Sequence, residues 1–174
     1  AVWEQRDVLL ASFVVTAGSE EGMEVDEIIL TGVYNQSTTT QDLDNAFEDL
    51  DFYYGETRLT SSKTTEVDSS GNTKHVFVLS PPFSIPEGAS IKLDVRGDVK
   101  PEPEWEEGGA VQIYEMTALG RDTQRLLRIG PREEERVKGQ SVSLVKAGTL
   151  SVTLDSSSLS PQILDINEMV IAFG

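Results

Sequence analysis

Residues 91–96 read Ile-Lys-Leu-Asp-Val-Arg, and this short stretch decides the fold. Ile91, Leu93 and Val95 fall on one side of an extended chain and Lys92, Asp94 and Arg96 on the other, the period-two pattern of a strand with one face in a core. The same alternation recurs outward in both directions. Leu150, Val152 and Leu154 alternate with Ser151, Thr153 and Asp155; Leu50, Phe52 and Tyr54 share a face; His75, Phe77 and Leu79 share another, with Val76 and Val78 opposite. Further strands are expected at residues 23–30, 111–119, 142–145 and 163–166. Turn chemistry separates them: Gly55-Glu56, Ser69-Ser70-Gly71-Asn72, Pro86-Glu87-Gly88, Gly108-Gly109, Ala147-Gly148 and Ser160-Pro161. The pattern predicts an all-β chain, one antiparallel β-sandwich of immunoglobulin-like or jelly-roll-like type spanning residues 1–174. Only residues 121–138 look helix-friendly. Gly130-Pro131 interrupts them, so a charged loop or a short helical turn is expected there.

Composition narrows the function classes. Thirty acidic residues against fourteen basic ones give a net charge of −16. Such a surface repels phosphate backbones and anionic headgroups, which argues against nucleic acid and membrane insertion and favours cations. No apolar run approaches the roughly 20 residues of a membrane-spanning helix. With no cysteine, disulfides and thiolate metal sites are excluded. The start at Ala1 suits a mature chain cut after a small residue and equally suits an excised unit.

The candidate sites follow from side-chain chemistry. Asp42, Asp44, Asn45, Glu48, Asp49 and Asp51 crowd one loop and strand start, a density of hard oxygen ligands that suits calcium; the bland alternative is a solvated acidic turn. Phe47 stands where an EF-hand loop requires glycine, so that motif is rejected. Glu102, Glu104, Glu106 and Glu107, interleaved with Pro101, Pro103 and Trp105, read as an extended charged loop. His75 is the sole histidine and reads as a packed strand residue rather than a ligand. Without a second imidazole or a phosphate loop, the chain is expected not to be an enzyme. Trp3, Tyr53, Tyr54 and Trp105 leave a carbohydrate-binding or adhesion module as the alternative, with a glycan as partner. Arg96-Gly97-Asp98 spells an adhesion tripeptide at the end of a strand.

Residues 8–15, VLLASFVV, are apolar on both strand faces apart from Ser12. Residues 168–173 echo them. Both segments are expected either as central strands of one sandwich or as strands exchanged with neighbouring copies, with Val8, Leu10, Phe13 and Val15 as the interface.

The stretches VLLASFVVTA, EVDEIILTG, DLDNAFEDLDFYYGETRL, FSIPEGASIKLDVRGDV and AGTLSVTLDSSSLSPQIL occur in an order that resembles the tandem β-sandwich repeat of prokaryotic surface-layer-type and extracellular filament proteins. The resemblance covers most of the chain except residues 100–140. It implies a structural role at the cell surface, with other copies or adjacent repeats as partners and head-to-tail assembly; calcium at the Asp42–Asp51 cluster would stabilise such a unit. Residues 165–174 would lie where a following unit begins. A single unit with an acidic insertion leaves open both a layer and a fibre.

Overall fold

A computed structural model describes residues 1–34, 40–59, 61–105, 109–130 and 136–144. They form strands β1 (Val8–Thr16), β2 (Met23–Val33), β3 (Thr40–Gln41), β4 (Phe47–Tyr54), β5 (Thr57–Arg58), β6 (Ser61–Val67), β7 (Thr73–Ile85), β8 (Ser90–Val99), β9 (Gly109–Gly120), β10 (Leu126–Ile129) and β11 (Val137–Val142). The one helical element among them is a 3-10 turn, Leu43–Asn45. Two antiparallel sheets pack face to face. One has the order β1-β8-β4-β5; the other runs β10-β9-β2-β7-β6, with β3 on the end of β2 and β11 on the first half of β9. The chain is the β-sandwich that the alternation predicts.

The inward positions build the core. Ile91, Leu93 and Val95 are buried on β8, and Phe77 and Leu79 on β7, while Val78 on the opposite face is 43% exposed. Phe52 of the first sheet meets Phe77 of the second edge to face, with ring centroids 5.1 Å apart. That geometry sets the positive edge of one ring against the negative face of the other. The β2–β7 ladder is broken where Leu79–Pro82 lie opposite the single residue Asp26. Pro81 and Pro82 have no N–H to give, so the interruption falls where pairing is weakest.

Some expectations are corrected. Residues 121–138 hold more than a charged loop or short helical turn: after the turn at 121–125, Leu126–Ile129 pair with residues 116–119 of β9, and β11 starts at Val137 rather than 142. A tight turn precedes β10, in which Gln124 N donates to Gly120 O at 2.9 Å. Glu21 closes it by accepting the Asp122 and Thr123 N–H groups and the Thr123 hydroxyl. β1 is also not central. It pairs with β8 and is an edge strand of its sheet among the described residues. The expected strands at 150–155 and 163–166 lie outside the described residues.

Gly32 and Gly109 are required by a close approach. A Cβ on Gly109 would come within 2.3 Å of the Trp105 ring, and one on Gly32 within 2.6 Å of Gln41 O and 3.0 Å of the same ring. The indole packs edge-on to Phe47 at 5.1 Å and donates its N–H to Val142 O at 3.2 Å.

Truncating Phe52 removes the inter-sheet contact and leaves a cavity. Phe52→Ala should cost about 3–5 kcal/mol of unfolding free energy. Val67→Ala, on the exposed face of β6, should change it by less than about 0.5 kcal/mol. Urea denaturation of the two variants checks the contrast.

Candidate functional site

The acidic run from Asp42 to Asp51 does not converge on one point. Asp42 is the N-cap of the 3-10 turn, and its Oδ1 accepts the Asp44 N–H at 2.9 Å. Leu43 is fully buried beneath that turn. Asp44 forms an ion pair with Lys63, and its carbonyl accepts from Lys100 Nζ. Asn45 engages through its backbone, which accepts Glu104 N–H at 2.9 Å. Glu48 and Asp49 are exposed at the start of β4. Asp51 is buried and paired with Arg58. Burial pushes its carboxyl above the ordinary range even against the Arg58 charge. A polar hollow of about 380 Å3 joins Asp44, Glu48, Asp49 and Asp51 to Arg58, Lys63 and Lys100. Three cations of the chain itself therefore stand among the carboxylates.

Beside this hollow lies a tighter node. The inward alternation of β7 carries the His75 side chain to zero exposure, where its ring faces Asp42 and Asp44. Nε2 is 3.0 Å from Asp42 Oδ1 and Nδ1 is 3.7 Å from Asp44 Oδ2. Burial pushes the imidazole below its ordinary pKa; Asp44 and Asp42 pull it up, and Lys63 opposes them. Of the packed or half-exposed strand positions that the alternation allows His75, it takes the packed one, and its carboxylate partners are not visible in local spacing. The only local signal was its place on an otherwise apolar face.

The residues expected at an interface are placed differently. Val8, Leu10 and Phe13 are buried in the core of their own chain. Val15 is half-buried on the rim of an apolar groove of about 520 Å3. One wall of the groove is the end of β1 (Val15, Thr16), the other is β10 (Leu127, Ile129), and Val25 and Met116 line it between them. The outer edge of β1 faces away from β8: Ser12 N donates outward, to Gln140 Oε1 at 3.2 Å. Val14, two residues on, is 74% exposed.

The other motifs are absorbed by the fold. Arg96 pairs with Asp7 at 3.3 Å and lies over the Tyr53 ring, while Asp98 Oδ1 accepts the Asp7 N–H at 2.7 Å. Trp105 is wedged against Phe47 as described, and Tyr54 tilts against Phe83 at 5.5 Å. No family model matches the chain, and no curated protein is significantly similar to it.

The His75 shift has a definite sign. A folded imidazole with a lowered pKa binds fewer protons than the unfolded one, whose value is about 6.5. The associated stability is complete above that value and is lost as pH falls through it towards the folded pKa. In metal-free buffer, the ring resonances of His75 should titrate below pH 6.5. The fall in stability from neutral to mildly acid pH should be shallower in His75→Gln than in the parent chain.

Proposed function

We propose that this chain is a non-catalytic structural β-sandwich unit of an extracellular layer or filament. Neighbouring copies join when residues 163–173 of one copy lie along β1 of the next. The end of the outer edge of β1, beyond Ser12, is the observation that carries this reading: Val14 is 74% exposed there, whereas Gly139 and Gln140 of β11 cover the edge at Ala11 and Ser12. Edge strands present unpaired N–H and C=O groups, and proteins usually blunt them with charge, proline or a bulge. β1 contains neither lysine nor proline. Beyond its one bulge, between Leu9 and Ala11, it runs regularly to Thr16. Leu9 and Val14 project apolar surface, and Leu126, Leu127 and Ile129 of β10 are exposed across the groove.

The occupant is argued from the length of chain beyond the described strands. Thirty residues follow Leu144. Extended, they reach about 100 Å, against about 30 Å for the nine residues of β1. Their sequence alternates around Val152 and is apolar at consecutive positions from Met169 to Phe173. Since β1 is seated against β8 of its own chain, it accepts a strand and is not itself given away. Each copy then gives at one end and receives at the other. That contact does not close on itself and extends into an array. The cell-surface setting rests on the repeat resemblance, and the net charge of −16 suits divalent counterions between copies.

Val14→Lys places a charge on this edge at a solvent-exposed position. The unfolding free energy should stay within about 0.5 kcal/mol of the parent. Polymers visible by electron microscopy and sedimentation should disappear. Because the chain has no cysteine, Val14→Cys and Ile171→Cys on separate copies should give a clean intermolecular crosslink. Polymers that persist in Val14→Lys, or a parent chain that stays monomeric at every concentration, would overturn the reading.

A further inference from the structure

Asp42 fixes which nitrogen of His75 carries the proton. Its Oδ1 already accepts the Asp44 N–H at 2.9 Å and lies 3.0 Å from His75 Nε2. An ionised carboxylate only accepts, so Nε2 holds the hydrogen and Nδ1 presents a bare lone pair. Nδ1 is buried and has no hydrogen-bond partner. The nearest opposing group is Asp44 Oδ2 at 3.7 Å, a second acceptor. Two electron-rich atoms thus face each other across a gap with no donor between them.

The gap has the dimensions and the chemistry of a metal site. Ligand atoms from Asp42, Asp44 and His75 lie within 4.8 Å of one another. Two ligands each about 2.1 Å from a tetrahedral zinc ion sit about 3.4 Å apart, so a small movement of the Asp44 side chain closes the distance. Lys63 is engaged with Asp44 Oδ1, which leaves Oδ2 for the gap. His75 is sealed while the Asp44 side chain is 40% exposed, so an ion can enter from the carboxylate side and keep water ligands. A carboxylate holding the distal N–H of a ligating imidazole is the usual outer support of such sites, and Asp42 occupies that place.

We propose that His75 Nδ1 and Asp44 Oδ2 bind one divalent transition ion, for which zinc is the representative, with Asp42 orienting the imidazole and water completing the coordination. An imidazole ligand selects against calcium, which takes oxygen. Of the run Asp42, Asp44, Asn45, Glu48, Asp49 and Asp51, this site uses only the first two residues and adds a nitrogen ligand from β7. Bound there, the ion clips the 3-10 turn leading into β4 to β7 of the opposite sheet.

The sole histidine and the absence of cysteine make the test specific. Untagged protein is titrated with zinc chloride and, separately, calcium chloride, read by calorimetry and by the His75 ring resonances; cobalt(II) is read by visible absorption. One equivalent of zinc should bind at micromolar concentration, shift the His75 resonances and raise the melting temperature, with cobalt giving the intense visible bands of tetrahedral coordination. Asp44→Asn should weaken zinc binding at least tenfold, and Lys63→Gln, which removes the competing cation, should tighten it. Asp44→Asn alters a half-exposed side chain and so keeps the test open if His75→Gln fails to fold. Zinc binding unchanged in Asp44→Asn, no response of His75 to millimolar zinc, or a His75 response to calcium alone would overturn the proposal.

Discussion

The edge-to-face contact between Phe52 and Phe77 is the constraint on which the rest of the molecule depends. It is the point where β4 of one sheet is registered over β7 of the other. Once those strands are fixed, the 3-10 turn that feeds β4 must descend onto the inner face of β7. His75 stands two residues before Phe77 on that same face, so the turn arrives with Asp42 and Asp44 directly over the imidazole. The hydrophobic contact and the polar node are successive rungs of one inter-sheet alignment.

The buried ionisable groups Asp94 and His75 are accommodated in different ways. Asp94 on β8 is buried, yet it accepts the Ser12 hydroxyl at 2.6 Å and faces Lys92, and together they hold its carboxyl below the ordinary range against the effect of burial. That bond also joins β1 to β8 through side chains as well as backbone. At His75 burial works the other way: it favours the neutral form and outweighs the pull of Asp44 and Asp42. Its Nδ1 is one of the buried side-chain atoms left without a hydrogen-bond partner.

The strands with clean alternation were legible in the sequence, because the period-two pattern is set by burial of one face and needs no knowledge of partners. β8 and β7 are the clearest cases. β10 was not legible: its charged neighbours Arg125 and Arg128 mask a pairing with β9 that depends on the turn clasped by Glu21. The two-sided apolar character of β1 suggested a central strand, but sequence counts faces and cannot count neighbours. The acidic run was visible as a cluster of ligands, while the groups that rearrange it were not. Arg58, Lys63, His75 and Lys100 arrive from other strands and crossovers, and long-range arrivals leave no trace in local spacing. The turn glycines at 55, 71 and 88, each with a positive φ, were recognisable from chemistry alone.

The indole of Trp105 lies in a space that exists only because Gly32 and Gly109 have no side chains. Gly32 is distant in the chain from Trp105 and Gly109, yet the three form a single unit of inheritance. A side chain at Gly109 is excluded while the tryptophan is present, one at Gly32 is excluded by Gln41 O as well as by the ring, and shrinking the tryptophan alone opens a void beside Phe47. Drift at this corner therefore has to proceed by paired replacements. In any set of descendants of this chain, the ring and its two glycines should be kept together or exchanged together, which makes the trio a marker of common ancestry even where the acidic surface has changed beyond recognition.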